Sequence, residues 1–394
     1  MSALRSQFRC LVAGGVLALG LAACVPAKQT TPTAPPQPVP PTAEPAPAEP
    51  LPTGPLKVGL LLPLSGNTAA IGQDMLDAAQ LALFDVGQSD LVLLPQDTGG
   101  TPEGARKAAR GAIAEGAELL LGPLFGASTK AAGAEGRAAN LRVLSFSNDA
   151  AVAGNGVYTL GYRPGEQVDR VVGYAVAQGM PRVAVLAPDD AYGGLASRAA
   201  RQALAAIPGA PPAATTFYGA SGDVSGQVGQ VMGARPQAIL IADGGARLRQ
   251  VLAALAFYTE GGERPRLLGT RMWEGDPELY REPLAQDAWL ATVDPDMKRQ
   301  FAARFAQVYG REPHDLATLA YDATALAALL GRTDRSFADA ALTDPEGFAG
   351  SVGIFRLRTD GTSEHGLAIA TVEPGGLRTL DPAPSRFAAG IALR

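Results

Sequence analysis

Hydroxyl, amide and aromatic side chains gather in short clusters along this 394-residue chain. Ser65 and Asn67 flank a glycine, Ser128 follows Gly126 and Ala127, and Ser147 precedes Asn148. Farther on stand Tyr162, Asp190, Tyr192, Asp243 and Trp273. Hydroxyls and backbone N–H groups at a helix start can hold a carboxylate. A tyrosine or tryptophan ring can close over an apolar moiety. That is the chemistry of capture: a carboxylate or an apolar group held without covalent change. Each residue also has a plainer role. Ser128 and residues like it cap helices, and Trp273 suits core packing or an interface anchor.

Bond-breaking chemistry finds little support. The two histidines, His314 and His365, fall in different kinds of element, and no metal-ligand spacing exists. No G-x-S-x-G, S-x-x-K, P-loop or G-x-G-x-x-G run is present. Asp189-Asp190 follows a strand, but adjacent carboxylates in an extended loop point apart and more often cap the next helix. We expect no catalytic residue, no metal and no cofactor, hence a non-enzyme.

The elements that must position these side chains alternate. Leu56–Leu62 is a nearly continuous apolar run ended by Pro63, which predicts a strand buried on both faces. A helical pattern follows over Gly72–Val86. Strands at Leu91–Leu94, Leu119–Leu121 and Leu141–Phe146 then alternate with helices at Pro102–Glu115 and Ser128–Ala139. After Tyr158–Tyr162 the rhythm restarts. Helices are predicted at Gly165–Gln178, Tyr192–Ile207, Val224–Gly233 and Leu248–Tyr258. Strands are predicted at Arg182–Ala187, Ala213–Tyr218, Ala238–Ala242 and Arg266–Gly269. Such repeats give parallel sheets with helices on both faces. Helices at Pro295–Tyr309 and Pro313–Leu330 follow. Gly353–Thr359, Gly366–Val372 and Leu377–Leu380 predict short antiparallel strands, with turns at Asp360-Gly361 and Gly375-Gly376. The fold expected is α/β, two doubly wound Rossmann-like lobes around a cleft with a C-terminal antiparallel β tail. In open α/β sheets ligands meet the loops at the carboxyl ends of strands, where the candidate residues fall.

The first 55 residues have another character. Arg5 and Arg9 precede an apolar run from Leu11 to Leu21, then Ala22, Ala23 and Cys24. A basic start, a short apolar core and small residues describe a secretory signal peptide, and the run is too short to span a bilayer. Twelve of the residues from Val25 to Pro55 are proline, so this stretch predicts an extended, exposed spacer near polyproline II. Cys10 is the only other cysteine; with it removed, no disulfide, cysteine nucleophile or zinc-thiolate site can form. Loss of residues 1–23 takes two arginines away and moves the formal charge from −5 to −7. No basic block remains, which argues against nucleic acid as a partner.

Leu21-Ala22-Ala23-Cys24 resembles the lipobox of bacterial lipoproteins, which implies that Cys24 is the lipidated N-terminus of the mature chain and anchors it to a membrane. Ordinary secretion, with Cys24 incidental, is the alternative. Val25, in place of Asp, resembles the outer-membrane class. The segment Lys57–Gly66 resembles the opening strand and loop of type 1 periplasmic binding proteins. Leu120-Leu121-Gly122-Pro123 with Ser128, Leu186–Gly193 with Asp190 and Tyr192, and Phe348–Asp360 with the β tail are similar to later motifs of that family.

Two relatives compete. One is the leucine/isoleucine/valine-type receptor of an ABC importer, whose partner is a permease. The other is the lipoprotein family that activates penicillin-binding proteins. Gly122-Pro123-Leu124-Phe125 and Leu141–Asn148 look closer to the activators, whereas the receptors usually show a Ser-Pro-x-Ala-Thr-like run where this chain has Ser145–Asp149. The leading expectation is therefore an envelope lipoprotein that regulates peptidoglycan synthesis, and the runner-up is a receptor for branched-chain or other amino acids. The domains expected are a signal peptide (1–23), a lipidated tether (24–55), a first lobe (56–161, completed by 295–345) and a second lobe (162–294, completed by 346–394).

Overall fold

The computed structural model describes residues 54–87, 90–211, 214–259, 264–333 and 335–387. Cys24, the signal segment and all but the last two residues of the proline-rich stretch lie outside the described residues. The first part of the fold runs β1 (Leu56–Leu62), α1 (Ala69–Val86), β2 (Leu91–Asp97), α2 (Pro102–Ala114), β3 (Leu119–Leu121), α3 (Gly126–Ala138), β4 (Arg142–Ser145) and β5 (Val157–Thr159). These strands form one parallel sheet in the order β2-β1-β3-β4-β5. β1 lies inside the sheet between β2 and β3, and Leu60, Leu61 and Leu62 are wholly buried. A strand covered on both faces needs apolar side chains in both directions, which is why its sequence does not alternate.

The chain then enters α4 (Pro164–Ala177), β6 (Val183–Pro188), α5 (Ala191–Ala205), β7 (Ala214–Tyr218), α6 (Ser225–Gly233), β8 (Ala238–Ile241), α7 (Gly245–Thr259), β9 (Arg266–Gly269) and β10 (Trp289–Thr292). Next come α8 (Pro295–Tyr309), α9 (Ala317–Thr333), α10 (Asp339–Leu342), β11 (Phe348–Gly350), β12 (Gly353–Leu357), β13 (Ser363–His365), β14 (Ala368–Glu373) and β15 (Gly376–Asp381). A second sheet has the order β15-β14-β10-β9-β8-β6-β7. Its core from β10 to β7 is parallel, while β14 and β15 add antiparallel at one side. A small antiparallel sheet, β11-β12-β13, stands apart from both.

The fold is thus α/β, with two sets of parallel strands and an antiparallel C-terminal tail. The tail divides between sheets: β12 pairs only within the small one, whereas β14 closes the edge that β10 would otherwise present. An exposed strand edge offers unpaired backbone groups, and covering it satisfies them. β10 itself has only Trp289-Leu-Ala-Thr292, too few residues for a period to register.

α1 and α9 pack together, and polar ties reinforce the contact. Arg311, between α8 and α9, pairs with Asp74 and Asp77 of α1. The Tyr309 hydroxyl donates to the Asp77 carbonyl at 2.8 Å, and Arg304 meets Asp85 at 2.7 Å. The small sheet reaches back as well: Thr159 N–H at the end of β5 donates to the Gly361 carbonyl at 2.8 Å. One backbone detail shapes the loop after β3. Gly122 has φ +90, and a Cβ there would lie 2.3 Å from the Leu61 carbonyl oxygen. Only glycine permits this turn, which aims Leu124 and Phe125 past the end of the sheet.

Candidate functional site

A cavity of about 450 Å³ opens where loops beyond the ends of the two larger sheets face one another. From the first sheet's side, Ile71 of α1, Leu124 and Phe125 after β3, and Phe146 and Asn148 after β4 line it. Gly161 and Tyr162, where the chain leaves the first sheet, form part of the wall with Gln167 of α4. The opposite side carries Tyr192 at the start of α5, with Arg271 and Met272 after β9. His314, Asp315 and Leu316, just before α9, complete it. The wall is mostly apolar and aromatic with a few polar groups, the usual make-up of a small-molecule site.

Arg271 is the most constrained of these side chains. Its backbone N–H donates to Gln167 Oε1 at 2.9 Å. Its guanidinium lies over the Tyr162 ring, 3.9 Å from the centroid, a cation–π geometry. Nε donates to Glu274 Oε1 at 2.8 Å and Nη2 to Glu274 Oε2 at 3.4 Å. The remaining nitrogen, Nη1, is buried and makes no hydrogen bond within the protein. Tyr162 is wedged further, since its other neighbour is the His365 ring at 4.5 Å. Burial pushes the Tyr162 phenol up to about 12, against the pull of the Arg271 charge. Tyr192 donates its hydroxyl to Thr270 Oγ1 at 2.9 Å, and burial raises its phenol too.

A second cavity of about 620 Å³ adjoins the first and shares Arg271, His314 and Asp315 with it. Glu274, Lys298, Tyr280 and Phe301 stand on its wall. Lys298 Nζ donates to Glu274 at 2.8 Å and to Asp315 at 2.9 Å. A chain of alternating charges, Arg271, Glu274, Lys298 and Asp315, thus links the two cavities. Desolvation works to raise the Glu274 carboxyl, but Arg271 and Lys298 outweigh it and hold it below the usual carboxylate range.

Of the residues singled out in the sequence, Asn148, Tyr162 and Tyr192 line the first cavity. The others do not reach it. Ser65 and Asn67 are exposed in the loop before α1, and the Ser65 N–H is tied to Asp97 at 3.2 Å. Gly126 packs against Asp149, and Ala127 is exposed. Ser128 is 1 % exposed on the first turn of α3, its hydroxyl without a hydrogen-bond partner. It therefore neither lines the cavity nor caps the helix, whose cap position is Phe125. The Ser147 hydroxyl accepts from Asp149 N–H at 3.1 Å and is spent inside its own loop.

Asp190 caps α5 through Gly193 N–H at 2.8 Å. Asp243 accepts from the Tyr218 hydroxyl at 2.7 Å and from Gly244 N–H at 2.8 Å. Trp273 is a correction to its candidacy for ligand contact: it is wholly buried and packs in the second sheet's core. A Cβ on Gly269 would lie 2.6 Å from its indole ring, so the ring fills the space that glycine leaves. The sequence reading missed Gln167, Arg271, Glu274 and Lys298. The position of Arg271, two residues past a strand's carboxyl end, was the available signal.

The profile of a family described as periplasmic binding protein matches residues 55–377. An uncharacterised protein of Rickettsia prowazekii (strain Madrid E) is 24% identical over 117 residues, which are 30% of this chain and 31% of that one. Among solved structures, a candidate branched-chain amino acid ABC transporter protein from Rhodospirillum rubrum superposes with a TM-score of 0.73 at 20% identity, over 82% of this chain and 99% of that one. A branched-chain amino acid ABC transporter periplasmic ligand-binding protein from Burkholderia xenovorans LB400 gives 0.68 at 20% identity, over 84% and 96%. An ABC transporter solute-binding protein from Rhodopseudomonas palustris BisB5, solved with 3,4-dihydroxybenzoic acid, gives 0.62 at 18% identity, over 85% and 97%. At these identities the structural likeness speaks for the fold.

Proposed function

The chain belongs to the periplasmic binding protein family, and on that basis we propose that it is a non-enzymatic receptor that captures a small solute in the first cavity for an ABC permease. The observation that carries this reading is the cavity itself: apolar and aromatic groups from both sides converge on one buried guanidinium. The moving parts are the two lobes, 56–161 with 295–345 and 162–294 with 346–394. A ligand that touches both favours the closed arrangement by its differential affinity, and the permease reads that arrangement. Membership of the family supports a periplasmic location, and the lipobox-like Leu21-Ala22-Ala23-Cys24 run supports a lipid anchor at Cys24.

A thermal-shift screen of the full-length protein against amino acids and organic acids tests the reading. A ligand at one hundred times its dissociation constant adds about 2.7 kcal/mol to the folded state, a shift of several degrees. Absence of any shift across both classes overturns it.

One observation favours a second reading, a regulator that contacts a penicillin-binding protein. Ser128 and Ser147, the hydroxyls expected to hold an amino-acid ligand, are buried and do not line the cavity. An activator has no need of them, because its output is a protein contact. Measurable affinity for a peptidoglycan synthase, together with an unresponsive melting point, makes this the better reading. Membrane fractionation of Cys24→Ala tests the anchor: release into the soluble fraction is expected, and retention overturns it.

A further inference from the structure

We infer that the small sheet β11-β12-β13 is a pH-sensitive clasp on the connections between the two larger sheets, fastened while the Asp322 side chain is neutral and loosened when it ionises. The device does not depend on what the cavities hold, and its test needs no ligand. The chain passes between the larger sheets three times: at 160–163 from β5 into α4, at 293–294 from β10 into α8, and at 343–367 through the small sheet. α4 packs on β9 and β10 of the second sheet, and α9 on α1 beside the first. The third passage is bonded to each of the others. At the first, Thr159 N–H donates to the Gly361 carbonyl, Arg163 Nη2 donates to the Ser363 carbonyl at 2.6 Å, and His365 Nδ1 meets Glu166 Oε1 at 3.0 Å. At the second, Asp294 N–H donates to the Val352 carbonyl at 3.4 Å.

Asp322 of α9 holds this sheet to the helices of the first part of the fold. It is 6% exposed, and its Oδ1 accepts from Ser351 N–H at 2.6 Å, in the turn between β11 and β12. The turn closes tightly on the carboxyl: a Cβ on Gly350 would lie 2.7 Å from Oδ2. Ser351 is followed directly by Val352, whose carbonyl carries the Asp294 tie. Release of Ser351 from α9 therefore frees the second passage as well.

An ionised carboxylate has room for about four hydrogen bonds, and its donor residue here is Ser351. The groups that face Asp322 are Tyr321 beside it on α9, Tyr162 at the first passage and His365 at the end of β13. Both phenols are pushed up to about 12 by burial and stay neutral. His365 stacks on Tyr162 and turns Nδ1 to Glu166. The cations near by are directed elsewhere: Arg163 to Ser363 and Glu166, Arg271 to Glu274, Arg356 and Arg358 to Glu364. α1 presents Asp77 and Asp85 to this region, and Arg311 and Arg304 hold them. Burial therefore favours the neutral acid. It pushes the Asp322 carboxyl up to about 6, further than the Ser351 contact lowers it. Above that pH the charge gains by reaching water, which requires the Ser351 turn to leave α9.

Hydrogen exchange of the full-length protein, followed by mass spectrometry and corrected for the intrinsic effect of pH, reads the clasp directly. Peptides covering 348–357 and 291–297 report the Ser351 and Asp294 amides, and 56–62 in β1 is the reference. The clasp peptides are expected to exchange faster than β1, as a local opening does. They are also expected to lose about tenfold in protection between pH 5 and 7.5, because one unit of that interval lies below the folded-state value and each unit is a factor of about ten. Asp322→Asn is expected to keep its protection across the interval. His365→Gln is expected to retain the wild-type response, since the imidazole only faces the titrating group. Wild-type protection that does not change with pH overturns the proposal. So does an undiminished response in Asp322→Asn, or a response abolished by His365→Gln alone. Clasp peptides that exchange no faster than β1 open only with the whole molecule, and they overturn it as well. Two of these outcomes need only the wild type, so a variant that fails to fold leaves the test decisive.

Discussion

Lys298 of α8 donates from Nζ to the Glu274 carboxylate at 2.8 Å, although 24 residues separate them in the chain. Glu274 is almost entirely buried and holds Arg271 on its other oxygen. Two cations therefore share one carboxylate, and the arrangement connects the helices after β10 with the loop after β9.

Glu274→Ala is expected to destabilise the protein by about 3–5 kcal/mol at neutral pH, because it strands the buried Arg271 guanidinium, although Lys298 keeps Asp315. Lys298→Met is milder, since Arg271 still neutralises the acid and the methionine fills the same space. The sign of the pH dependence follows from the depressed carboxyl of Glu274. Its contribution is present above the unfolded-state value and is lost as pH falls through the folded-state one. The gap between wild type and Glu274→Gln in urea denaturation should therefore narrow with acidification. A gap that widens contradicts the charge network.

Asp322 behaves in the opposite sense. Burial pushes its carboxyl up to about 6 from 3.8, despite the Ser351 N–H that donates to it at 2.6 Å. A raised value means the folded protein binds the proton more tightly. The contribution is full below pH 4 and is lost as pH rises through about 6, a change of roughly 3 kcal/mol for a shift of this size. Stability of wild type relative to Asp322→Asn should fall across that window. A difference that does not vary with pH contradicts the assignment.

Trp273 and Gly269 are expected to behave as one packing unit. Trp273→Ala should lose about 3–5 kcal/mol of stability, and Gly269→Ala should also destabilise, because its new methyl has no room beside the indole. Neither change should alter the affinity of the folded fraction for a cleft ligand. Loss of affinity in Trp273→Ala at unchanged stability would return the indole to ligand contact.

The two tryptophans and the charge network mark how far the sequence can be read. β1, β6 and β8 were legible because strands covered on both faces announce themselves as continuous apolar runs. Trp289 went unread as part of a strand because four residues carry no period. Trp273 has the type and the chain position of a ligand-stacking residue, and only the three-dimensional proximity of Gly269 shows that its ring is core. Ser128 was chosen for its place at a helix start, but helix rotation buries it. Arg271 and Glu274 stand three residues apart just past a strand end, but Lys298 joins them across 24 residues, and such a pairing leaves no local pattern to find.

Tyr192 allows ring and hydroxyl to be separated. It lines the first cavity, while its hydroxyl is engaged outside the ligand space with Thr270 Oγ1 at 2.9 Å. Tyr192→Phe removes that bond and keeps the ring. The expected loss is about 1 kcal/mol of stability, the net worth of a typical neutral hydrogen bond. Ligand affinity should then hold within about twofold, well under the tenfold that 1.4 kcal/mol represents. Tyr192→Ala removes the ring as well and should weaken a cleft ligand by about tenfold or more, since an aromatic contact adds about 0.5–1.5 kcal/mol beyond the area it buries. Because burial raises the phenol, its ionisation lies above the working range and neither variant should change the pH dependence of binding between 6 and about 8. Calorimetry on both variants, with the compound that gives the largest shift in the thermal-shift screen, checks the split. An affinity that falls as far in Tyr192→Phe as in Tyr192→Ala would mean that the hydroxyl meets the ligand, and Thr270 is then only its resting partner.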